Sequence, residues 1–141
     1  MQFYAVRDIK AGDQLFYCYC PTDCNLAERR AELAPYGFVC KCTVCINATS
    51  ETDKLRNTFE AQVTALRFTF LSSQVNETTL EDALRLERAA IKEGLDAHFA
   101  FKSLVVVIFL VYTKLGRMEE GAKYGMMVGQ FQECDEEFSQ D

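Results

Sequence analysis

Cys40-x-Cys42-x-x-Cys45 places three soft ligands within six residues. Thiolates held this close repel one another unless a cation binds them, so the spacing points to a metal, and zinc is the natural candidate. Zinc takes four ligands in a tetrahedron. The cluster supplies three, and Cys18, Cys20, Cys24, His98 and Cys134 are the remaining donors from which a fourth could come. The alternative is three buried thiols packed as small apolar groups. Six of the seven cysteines lie between Cys18 and Cys45, which favours metal or redox chemistry over a disulfide framework in a reducing compartment.

Other chemistry is thinly supplied. His98 is the only histidine and stands between Ala97 and Phe99, the setting of a packed core or boundary residue, so it is given no role. Cysteine-protease chemistry would have to use that one residue as its base and is set aside. Tyr19 reads first as an aromatic of a buried strand, and Tyr17 shares its face at a spacing of two.

The elements around the cysteines change character along the chain. Phe3 to Val6, the Gly12-Asp13 turn and Leu15 to Tyr19 read as a β-hairpin that wants further strands to pair with. A short helix follows over about Asn25 to Ala34, with Glu28, Arg29, Arg30 and Glu32 on its wet side, and Pro35 ends it. Tyr36 to Cys45 has neither helical nor strand periodicity.

From Ser50 the pattern turns to amphipathic helix. Ser50 to Asp53 forms a cap-like start ahead of Leu55, Phe59, Val63, Leu66 and Phe70, a second helix runs from Thr78 to a stop at Gly94, a third spans about Asp96 to Leu115, and a fourth spans about Met118 to Glu133. Tyr112 to Tyr124 has the turn and small-residue spacing of a tetratricopeptide-like hairpin, a pattern that an ordinary helical hairpin also meets. The fold class is therefore expected to be α+β, divided into residues 1–35 with the hairpin, a cysteine-rich stretch at 36–48, and a helical domain at 49–141.

Composition excludes several function classes. A net charge of -6 with a pI near 4.9 argues against direct nucleic-acid binding, which needs Lys and Arg to neutralise phosphates. The apolar run Leu104 to Tyr112 is far short of the roughly 20 residues a bilayer requires, so a buried helix and no membrane partner are expected. The first eight residues lack the basic and apolar regions of a signal peptide, which implies an intracellular protein, nuclear or cytoplasmic. The triplets at Asn47 and Asn76 are then not read as glycosylation sites.

Taken in order, Ala5 to Tyr19, Glu28-Arg29-Arg30 and Tyr36-Gly37-Phe38-Val39-Cys40-Lys41-Cys42-Thr43-Val44-Cys45 closely resemble the end of a SET domain with its post-SET segment. The variety most similar is the SET-and-MYND type and its fungal relatives, in which a helical C-terminal domain follows. The resemblance is specific over residues 5–45. It implies S-adenosylmethionine-dependent methylation of lysine in a protein or peptide, a histone being one possible substrate.

Within that resemblance, Tyr19 matches the catalytic tyrosine whose hydroxyl lines the lysine channel, Phe38 matches the aromatic residue beside S-adenosylmethionine, and Cys40, Cys42 and Cys45 match three zinc ligands. The chemistry is coherent, because a free lysine amine has a pKa near 10.4 and must be neutral to attack a sulfonium methyl. A narrow, water-poor channel lowers that pKa and aligns the amine. The family's glycine-rich cofactor stretch and its Asn-His-x-Cys motif, whose cysteine is the fourth zinc ligand, do not occur in this sequence. The isolated chain is accordingly expected to lack methyltransferase activity. A second expectation, of a different class, is a non-catalytic, zinc-stabilised helical module that binds a peptide in a hairpin groove.

Overall fold

The computed structural model describes residues 9–14, 19–72 and 75–137, with side chains described as far as Phe131. Every regular element among them is a helix: α1 (Leu26–Leu33), a 3-10 turn (Ala34–Tyr36), α2 (Thr43–Ile46), α3 (Ser50–Leu71), α4 (Glu77–Lys92), α5 (Phe99–Lys114) and α6 (Met118–Glu137). The α+β class with an N-terminal hairpin is thus corrected to an all-helical one. Residues 1–8 and 15–18, which would form most of the hairpin, lie outside the described residues. Of its second strand Tyr19 alone is described, and it lies in a bend and is half exposed instead of buried on both sides. The intervening turn is present, closed by Asp13 N–H donating to the Lys10 carbonyl at 3.0 Å, with Gly12 at a φ of 93°. A two-stranded unit without further partners has little to hold it, which is the physical weakness of the α+β expectation.

Capping sets where the long helices begin. Thr49 caps α3 in a reciprocal pair with Thr52, and Asn76 caps α4 in the same way with Thr79, so α4 starts ahead of Thr78. The ends are set by left-handed glycines. At Gly94 (φ 68°) Leu95 N–H returns to the Ala90 carbonyl at 2.8 Å, and at Gly116 (φ 73°) Arg117 N–H returns to the Tyr112 carbonyl at 3.0 Å. Both close a helix as Schellman turns. Leu95, just past the first of them, is fully buried.

Helix α5 is the centre of the bundle and packs on α3, α4 and α6. Its apolar run explains the position, since Leu104, Val105, Val107, Ile108 and Val111 are all buried. Phe59 and Val63 of α3 and Leu80, Ala83, Leu86 and Ala90 of α4 complete the core. Helix α6 runs antiparallel to α5, with Gly121 against Tyr112 and Gly125 against Phe109. None of the described helices is long and apolar enough to cross a membrane.

Candidate metal centre

Helix α1 opens with a capping box in which Asn25 N–H donates to Glu28 Oε2 at 2.8 Å and Glu28 N–H donates to Asn25 Oδ1 at 3.0 Å. It ends at Leu33, just ahead of Pro35, as expected. The chain continues as the 3-10 turn with Pro35 in its first positions, then reverses at Gly37, whose φ of 72° favours glycine. That reversal sets Phe38, Val39 and Cys40 across an open pocket from Arg30, Leu33 and Ala34. Cys42 then takes the extended backbone of an N-cap, and α2 brings Cys45 around beneath it.

The three sulfurs of Cys40, Cys42 and Cys45 lie within 4.8 Å of one another, an arrangement that could hold a metal ion. Thiolates at the vertices of a zinc tetrahedron are about 3.8 Å apart, given bonds of about 2.3 Å, so the trio needs only a slight contraction to fit. Burial works to raise the Cys42 thiol, but the nearby backbone N–H groups of Cys45 and Val44 and the neighbouring thiols of Cys40 and Cys45 outweigh it and leave the thiol below the usual range. Burial pushes the Cys45 thiol up to about 11, against the opposing influence of the Arg29 guanidinium.

No fourth donor among the described residues joins this trio. Cys18 and the side chain of Cys134 fall outside the described residues. Cys24 is half-buried near Cys20, and its thiol is raised by burial and then by Asp23, Glu28, Cys20 and Glu32. His98 is occupied elsewhere as the N-cap of α5, which starts at Phe99 and not at Asp96. Its Nδ1 accepts from Ala100 N–H at 3.2 Å, its Nε2 stands 3.8 Å from Asp23 Oδ2, and its ring lies between Phe59 and Phe99.

Tyr19 and Phe38 are brought together, their ring centroids 6.2 Å apart and nearly perpendicular. Tyr36 adds a third ring, 5.7 Å from Tyr19. All three are exposed, and Phe38 also lines an open pocket of about 330 Å³ with Arg30, Leu33, Ala34, Val39 and Cys40. The aromatic group and the sulfur trio therefore share one edge of the molecule.

Two functional side chains escaped the sequence. Arg29, expected on the wet face of α1, is buried, and Nη1 donates to the Cys24 carbonyl. Arg56 is buried on α3, donating to the carbonyls of Thr22 and Glu93 and pairing with the Glu93 carboxylate at 3.5 Å. Their register carried a signal, because Arg29 lies four residues before Leu33, and Arg56 lies three before Phe59 and seven before Val63, on the apolar stripes of their helices.

The chain matches no protein-family model, none of the curated proteins and none of the solved structures.

Proposed function

We propose that this chain carries the C-terminal part of a SET-type protein-lysine methyltransferase, in which zinc held by Cys40, Cys42 and Cys45 folds a cysteine-rich segment against the methyl-transfer site. The observation that carries the proposal is the convergence of the three sulfurs beside the Tyr19, Tyr36 and Phe38 rings. Tyr19 would orient the substrate amine, and Phe38 would pack against S-adenosylmethionine. In the transfer a neutral lysine nitrogen forms a bond to the sulfonium methyl carbon as the sulfur–carbon bond breaks, and the resulting ammonium releases its proton. Zinc supplies only structure, and the protein or peptide substrate binds in the reducing nucleus or cytoplasm.

The test is to translate the genomic frame upstream of Met1 and express the longer chain. A frame encoding a glycine-rich stretch and an Asn-His-x-Cys motif, whose product methylates a lysine peptide and loses roughly a hundredfold or more in rate on Tyr19→Phe, supports the proposal. A longer chain that binds zinc yet neither binds S-adenosylmethionine nor labels lysine sinks it in favour of the peptide-binding module.

A further inference from the structure

Arg29 presents an electrostatic problem that nothing among the described residues resolves. The residue is 5% exposed, yet its Nε and Nη2 have no hydrogen-bond partner among the described residues. Among the described residues no carboxylate lies within ion-pair distance of it. A second buried guanidinium, Arg56, is close enough for the two to repel. Arg56 has Glu93 and Asp53 to offset its charge. Among the described residues Arg29 has the Cys24 carbonyl as its hydrogen-bond partner, with the Cys45 sulfur near enough for the guanidinium to act on it. That sulfur lies within the guanidinium's influence, although the contact is looser than a formed bond.

A buried cation with two unused donors calls for an anion. Three thiolates around a divalent metal carry one net negative charge and four carry two, and Cys45 is the member of the trio that faces Arg29. We propose that Arg29 is the outer-shell cation of the metal centre, its Nε–H and Nη2–H donors closing on the Cys45 thiolate when the metal binds. Arg29 is a positioning residue in this role: through Nη1 it also ties the centre to the Cys24 carbonyl at the entrance to α1. The inference rests on the metal centre proposed above, and it adds a residue that carries no ligand atom.

The experiment is competition for zinc between a colorimetric chelator and the full chain, in the unmodified protein and in Arg29→Gln and Arg29→Lys. Zinc affinity is expected to fall about 10- to 100-fold in Arg29→Gln, the usual effect of removing an outer-shell partner, with Arg29→Lys in between because it keeps charge without the fork. Equal zinc affinity in all three proteins overturns the inference while leaving the metal centre standing. Absence of zinc binding in the unmodified chain overturns the metal centre as well. Should Arg29→Gln fail to fold, the Arg29 Nε–H resonance of the unmodified chain decides the matter. It is expected to shift and gain protection from exchange on loading with cadmium, and a resonance unmoved by cadmium overturns the inference.

Discussion

Tyr124 donates its hydroxyl hydrogen to Glu87 Oε2 at 2.7 Å, joining α6 to α4 through two side chains that are both buried. Tyr124→Phe leaves the carboxylate buried without its donor and should cost about 1–3 kcal/mol. Urea denaturation at neutral pH measures it.

The same pair sets an alkaline limit. Burial, followed by the hydrogen bond to Glu87 and the charge on Glu87, raises the Tyr124 hydroxyl above its ordinary value of 10.0. The folded protein holds the proton longer than the unfolded chain does, so this contribution is intact below about pH 10 and is lost as pH climbs from there toward the folded value. Stability measured from pH 9 to 11 should fall less steeply in Tyr124→Phe than in the unmodified protein. Identical slopes would show that Tyr124 ionises alike in both states.

Two glycines of α6 should respond to alanine with opposite signs. A Cβ at Gly121 would lie 2.7 Å from Tyr112 Cβ, an atom that cannot swing aside, so Gly121→Ala should destabilise by about 1–3 kcal/mol. A Cβ at Gly129 meets nothing within 4 Å, and Gly129→Ala should stabilise by about 0.5–1 kcal/mol through helix propensity. Thermal unfolding of the two variants side by side checks both.

Arg56→Met removes the group that ties the Thr22 carbonyl and the end of α4 to α3. It strips Glu93 of its partner and should cost about 3 kcal/mol. The loss should fall on the N-terminal attachment, so limited proteolysis should cut near residues 20–25 before it cuts within α5.

Metal removal should have an equally local effect. Among the described residues the buried apolar core begins at Phe59, and Leu33 is the one buried apolar side chain ahead of it. With zinc chelated, amide exchange should accelerate across 25–46 and stay slow in α4 and α5. Uniform acceleration would mean that the metal supports the bundle too.

The helical bundle was legible in the sequence because its signals are local. Periodic apolar residues and the glycines at 94 and 116 place helices that the structure contains, with starts shifted by caps at Thr49, Asn76 and His98. The cysteine spacing likewise announces a cluster whose sulfurs do converge. The α+β class was misjudged because a short apolar and aromatic run such as Leu15 to Tyr19 signals a strand only where partners exist, and the one member of it described, Tyr19, lies in a bend. The buried arginines were hidden because charge on a helix ordinarily means solvent, and only tertiary neighbours reveal the exceptions.

The polar clasp between Arg56, Thr22 and Glu93 also orders events in time. Glu93 is made roughly 50 residues after Cys45, which at ordinary synthesis rates is a delay of roughly 3–10 seconds. During that interval the cysteines have been translated but their anchorage has not. In that window Cys40, Cys42 and Cys45 are open to a metal or an oxidant before the clasp that ties residue 22 to the bundle can close.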